Sequence, residues 1–165
     1  MILWLWLTAC APPPSDRDGT GAAALDRLTE KGACGDLVAY AASVERDARL
    51  VIVATERPVA QAFEQQSPFS VQIALAQPLG AQVFLEVGEA PLADPCGFAG
   101  AVPRSDSDVY RPAEGFVRLT VTPLAAEAED GALGVVDIGL EEAVLLSDAG
   151  VVSVEQLTVS DARVP

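Results

Sequence analysis

The chain contains no histidine and no asparagine, and its one lysine is Lys31. Without histidine neither a Ser-His-Asp nor a Cys-His arrangement can form, and metal sites built on imidazole are excluded. Positive charge is scarce as well. Ten Lys and Arg stand against 24 Asp and Glu, for a net charge of −14. Such a chain cannot neutralise phosphates by releasing their counterions, so nucleic acid is excluded as a partner. Its bare surface is also repelled by anionic lipid headgroups. Aromatic residues make up only 5%, and both tryptophans, Trp4 and Trp6, fall within the first six positions. The remainder therefore lacks the indole platform on which sugars stack. What is abundant is hydrophobicity, at 50% of residues. That is too much for an acidic disordered tail and enough for one sizeable core in 165 residues.

The stretch Ile2 to Leu7 is uninterrupted by charge but far too short to span a bilayer, which takes about 20 residues. It ends in two small residues and a cysteine: Leu7-Thr8-Ala9-Cys10. This stretch resembles the lipobox of bacterial lipoproteins. The resemblance implies that residues 1–9 are a signal peptide removed after export. It also implies that the Cys10 thiol carries diacylglycerol and that Cys10 becomes the mature N-terminus. The partner so implied is a membrane, held through a lipid anchor, which is stable when two or more chains insert. Ala11 follows the cysteine where an aspartate would mark inner-membrane retention, so the outer membrane is favoured.

Residues 10–33 read as a lipidated tether ending in a short helix. Ala11-Pro12-Pro13-Pro14 favours an extended start, and the rest to Gly21 is flexible in composition. Asp16-Arg17-Asp18-Gly19 resembles the front of a calcium loop without its later ligands. Ala22 to Glu30 carries good helix formers. With Cys10 assigned to lipid, Cys34 and Cys96 remain, and two cysteines in an exported protein allow a single pairing. Buried free thiols and redox chemistry are the alternatives; no C-x-x-C pair and no histidine favour the latter.

From Gly35 onward apolar residues alternate with period two between Gly, Pro and Asp breaks. The pattern predicts strands at residues 36–42 and 49–55, joined as a hairpin across Ser43 to Ala48. A loop carrying Phe63 follows between Pro58 and Pro68. A second hairpin, 69–76 with 81–87, would turn at Pro78-Leu79-Gly80. A long loop holding Cys96 spans 88–112, then come strands at 115–122, 134–147 and 151–164, with an acidic turn over 123–131. The aromatics Tyr40, Phe63, Phe69, Phe98, Tyr110 and Phe116 read as core or loop anchors, and Phe84 sits at the solvent-facing parity. The expected fold class is all-β: a β-sandwich or Greek-key barrel of about seven to eight strands over residues 34–165, preceded by a short helix.

One polar residue breaks the pattern. Val136, Ile138, Leu140, Val144 and Leu146 share a parity with Glu142, and a strict pleat would bury that carboxylate at high cost. A bulge or strand break at Glu141-Glu142 would turn it outward, although keeping the parity afterwards needs a second adjustment. Protection of a sheet edge and a ligand or catalytic role are the alternatives. Leu157 and Val159 slip out of phase with Val152 and Val154 in the same way, which places a second bulge near Glu155-Gln156. Asp94, Asp106 and Asp108 are weak candidates for a metal, because no complete ligand set accompanies them. No cofactor motif is present. The sequence therefore points to an envelope lipoprotein that is not an enzyme and serves as a binding or structural accessory module. A subunit adding a strand to an envelope protein partner is one alternative, and a carboxylate- or calcium-dependent enzyme is another.

Overall fold

The computed structural model describes residues 20–35, 38–54, 57–75, 81–97, 102–124 and 132–164. The elements are α1 (Thr20–Leu25), β1 (Glu30–Cys34), β2 (Val38–Ala42), β3 (Ala48–Ala54), α2 (Pro58–Gln65) and β4 (Phe69–Ala74). They continue with β5 (Ala81–Val87), β6 (Asp108–Pro123), β7 (Gly134–Leu146) and β8 (Val151–Val164). The all-β class and the short helix ahead of it are as expected. The eight strands form one antiparallel sheet curled into a half-barrel. Its order is β1-β2-β3-β5-β6-β7-β8, with β4 paired to β6 beside that path. The curl brings β1 against β8, where Lys31 and Asp161 form an ion pair at 3.8 Å.

The two helices sit at opposite ends of the curl. Gly21 and Ala24 of α1 are buried. A side chain at Gly21 would collide with Val152 and Tyr110, so the helix enters the core only because that position is bare. α1 ends at Leu25, and residues 30–34 are already strand. At the other end α2 packs on β4 and β6. Its presence corrects the loop expected between Pro58 and Pro68. Proline at the first helical position costs no hydrogen bond, so Pro58 starts the helix instead of breaking it. Val59 and Ala62 are its buried face.

The hairpin β2–β3 forms as expected, with Ala42 opposite Arg49. The hairpin expected between β4 and β5 does not. β5 pairs with β3, Leu50 facing Leu85, and β4 pairs with β6, Val71 facing Leu119. The physical reason lies in the residues. Val83-Phe84-Leu85 is apolar on both faces and suits a strand covered on both sides, whereas β4 is amphipathic and suits an edge. Pro78-Leu79-Gly80, the acidic turn over 125–131, Phe98, Asp16 to Gly19 and Cys10 lie outside the described residues. Among the described residues no helix is long and apolar enough to cross a membrane.

The core is the concave side of the sheet. Leu50, Ile52, Val83, Leu85, Val117, Leu119, Ile138 and Leu140 belong to one cluster. The sheet stays continuous through irregularities in its longest strands. Between β6 and β7 the register shifts on either side of Glu114, near Pro112 and again before Phe116. Between β7 and β8 it shifts between Val136 and Ile138. Gly115 has φ +102°, and a side chain there would meet the Ala143 Cα at 2.5 Å and the Glu142 carbonyl oxygen at 2.7 Å. Only glycine fits this point of the bulge.

Candidate functional site

Two parts of the molecule hold its polar side chains in distinctive geometry. The first is a strap, residues 88–97 and 102–107, laid over the convex face of β3 and β5. The outward parity of these strands is Arg49, Val51, Phe84 and Glu86. All four are buried although none belongs to the core cluster. Phe84, expected at the surface, is 2% exposed because the strap covers it.

Beneath the strap lies an ion pair between Arg49, 1% exposed, and Glu86, 0% exposed, at 2.6 Å. The pair also holds the strap. Arg49 donates from Nη1 to the Ala93 carbonyl at 2.7 Å and from Nη2 to the Val102 carbonyl at 3.2 Å. Glu86 Oε1 accepts the Arg104 amide at 2.8 Å and the Ser107 hydroxyl at 2.6 Å. The Arg49 guanidinium also stands 5.8 Å from the centre of the Phe84 ring. Buried charges survive only when paired and hydrogen-bonded, and here both conditions are met.

The far end of the strap is fixed covalently. Cys34 and Cys96 form a disulfide with Cα atoms 5.9 Å apart. Asp94 turns the chain there by accepting the Cys96 amide at 3.0 Å. A cavity of about 60 Å³ between strap and sheet is lined by Tyr40, Arg46, Leu92 and Asp94, among others. It has room for a handful of waters and no organic ligand. Burial, and next the nearby Asp94 charge, raise the Tyr40 hydroxyl above its ordinary value. At the strap's base the β2–β3 turn is closed by Ser43, whose hydroxyl donates to Asp47 at 2.6 Å. This bond, with one from Arg27, holds the Asp47 carboxyl below the usual range.

The second part is the uncovered convex face of β6, β7 and β8. Gly139 leaves a hollow of about 160 Å³ there, rimmed by Arg118, Thr120, Asp137, Glu141, Gln156 and Thr158. Arg118 pairs with Glu141 at 3.3 Å. Next to it Glu141, Glu142, Glu155 and Gln156 surround an open acidic notch. Glu142 is exposed, with φ +49°, at the point where β7 has an extra residue against β6. The bulge thus turns the carboxylate to solvent, and it changes the parity after it. Ala143 and Leu145 point inward, whereas Val144 is half-buried and Leu146 is 42% exposed. This corrects the inward placement of Val144 and Leu146. β8 changes parity at the same level, at Glu155-Gln156, so the register between β7 and β8 passes through unshifted there.

The three aspartates considered for a metal have other positions. Asp94 caps Cys96, Asp106 forms a two-point pair with Arg104, and Asp108 opens β6 opposite Val87. The Arg104 bond holds the Asp106 carboxyl below its ordinary range. Among the described residues no three His, Cys, Asp or Glu side chains converge as metal ligands. Arg49 and Glu86 were not singled out by the sequence. Their signal was a single charge at the outward parity of each of two otherwise apolar strands. No protein-family model, no curated protein and no solved structure matches this chain.

Proposed function

We propose that the chain is an exported lipoprotein of the cell envelope, anchored through Cys10, whose folded domain is a binding or structural accessory module. The observation that carries this reading is Leu7-Thr8-Ala9-Cys10 followed at once by Ala11-Pro12-Pro13-Pro14. The Cys34–Cys96 bond supports it, because such bonds persist in oxidising compartments. The polar, shallow hollow around Gly139 supports a contact role over chemistry on a small molecule, since it is open and lacks an enclosed apolar pocket. The ten-residue step from Cys10 to Thr20 spans at most about 35 Å. The domain therefore works close to the bilayer, with the α1 end toward it.

Intact mass of the protein purified from bacterial membranes tests this, taken before and after reduction and alkylation. The expected species begins at Cys10, carries added acyl mass, and gains two alkyl groups only after reduction. A chain that keeps Met1 and alkylates at three cysteines without reduction overturns the reading.

A second reading, a subunit that joins a partner by strand addition, is favoured by one feature. Among the described residues β4 pairs with β6 alone, so one edge of it is unoccupied by a strand.

A further inference from the structure

The free edge of β4 has a defined set of hydrogen-bonding groups. The strand pairs with β6 from Phe69 opposite Val121 to Ala74 opposite Phe116, without a register shift. One step further, the Leu75 amide donates to the Gly115 carbonyl at 2.9 Å. In an antiparallel ladder the N–H and C=O of one residue point to the same side, and the side alternates along the chain. Phe69, Val71, Ile73 and Leu75 therefore direct their amides to β6. Ser70, Gln72 and Ala74 direct theirs to the open edge.

Exposed edges in natural sheets are guarded by charge, proline or bulges. The terminal strands follow this rule: β1 carries Glu30 and Lys31, and β8 carries Glu155, Asp161 and Arg163. They also lie against each other. β4 reads Phe-Ser-Val-Gln-Ile-Ala, with no charge, no proline and no bulge. An unguarded edge of this composition is a pairing surface.

We propose that β4 is a homodimerisation strand. Two copies of this chain pair antiparallel along this edge, with Gln72 facing Gln72 on a two-fold axis. This rests on the strand-addition reading above and names its partner. The argument for a second copy is self-complementarity, which an isologous contact requires. With Gln72 on the axis, Ser70 faces Ala74, so all three outward amides of each strand find a partner. That makes about six backbone hydrogen bonds, two per facing pair. On the core side Val71 then faces Ile73 and Phe69 faces Leu75, apolar against apolar. No strand residue meets a charge, which matters for a chain of net charge −14. Centring the pair on Val71 instead sets Ala74 against Pro68, which has no N–H to give. Shifting by one residue puts core-facing side chains opposite solvent-facing ones.

The test uses the full chain with Cys10→Ser, which removes the third thiol and separates pairing from anchoring. Gln72→Cys and Ser70→Cys are compared under mild oxidation on a non-reducing gel. Both side chains are exposed, so neither change burdens the fold. Facing residues have Cα atoms about 5.5 Å apart, within disulfide reach. The two Ser70 positions lie about 13 Å apart along the ladder. The expected result is a covalent dimer for Gln72→Cys, none for Ser70→Cys, and a dimeric mass for the parent in sedimentation. Gln72→Lys, which opposes two like charges on the axis, should return the monomer with its circular dichroism unchanged. Equal cross-linking of both cysteine variants, or a monomeric parent at every concentration, overturns the proposal. A monomer that still binds an added β4 peptide with a different, non-self sequence overturns self-pairing and leaves strand addition standing.

Discussion

β3 and β5 on one side of the half-barrel, and β6 to β8 on the other, are built from similar apolar residues but bury them differently. β3 hides both parities, Leu50 and Ile52 toward the core and Arg49 and Val51 away from it. β7 hides one parity at a time and exchanges it at Glu142. The difference is the strap. A sheet covered on both faces has nowhere to send a charge, so Arg49 and Glu86 neutralise each other and use their remaining donors and acceptors to fix the cover. An uncovered sheet sends its carboxylates to water, and bulges are the device that turns them. The strapped half is thus specified by long-range pairing, and the open half by local backbone geometry.

The largest expected effect breaks the strapped half. Glu86→Gln or Arg49→Met leaves one buried charge unpaired and should cost about 3–5 kcal/mol in urea unfolding. Changing both, Arg49→Met with Glu86→Leu, should recover part of that loss, because no lone charge then remains. The matched change in the open half, Thr158→Ala at an exposed outward position, should stay within about 0.5 kcal/mol. Equal costs for Glu86→Gln and Thr158→Ala would mean that the strap is not closed over the pair in solution.

The disulfide comes next. It links residues 62 positions apart, and on the chain-entropy model its loss costs about 4 kcal/mol, with measured cases commonly at 2–4. Cys34→Ser with Cys96→Ser should fall in that range. The strap should nevertheless stay down, since Arg49 and Glu86 hold Ala93, Val102, Arg104 and Ser107 without it. Hydrogen exchange at the Arg104 amide reads this directly. Protection retained in the double variant assigns the clamp to the ion pair, and protection lost assigns it to the cystine.

Much of this was legible in the sequence, and the reasons differ by region. Period-two alternation located seven of the strands, because a half-buried strand must alternate. The cysteine count allowed the one bond that forms. The parity conflict at Glu142 announced a bulge, because a buried lone carboxylate is too costly to tolerate. The apolar run Val83-Phe84-Leu85 signalled cover on both faces, yet nothing local identified the strap as that cover. The Arg49–Glu86 pair depends on β3 and β5 meeting in register across 37 positions. α2 was missed because Pro58 looks the same as a helix start and as a loop bracket. The β4–β6 pairing was missed because adjacency in sequence favours a hairpin that the two-sided burial of β5 overrides.

The smallest effect sharpens the open half and has the opposite sign. Glu142 holds a left-handed φ of +49° in an exposed position beside Glu141 and Glu155. A non-glycine residue there costs about 1–2 kcal/mol, and glycine gives back part of that gain through its freer unfolded chain. Glu142→Gly should therefore raise stability by about 0.5–1 kcal/mol, with a higher melting temperature. Gly115, at the same bulge, has no such latitude. Gly115→Ala drives a methyl into the Ala143 and Glu142 backbone and should lower the melting temperature. If Glu142→Gly also destabilised, the Glu142 side chain would be making a contact that outweighs its backbone strain, and the bulge would serve that carboxylate as well as the turn of the strand.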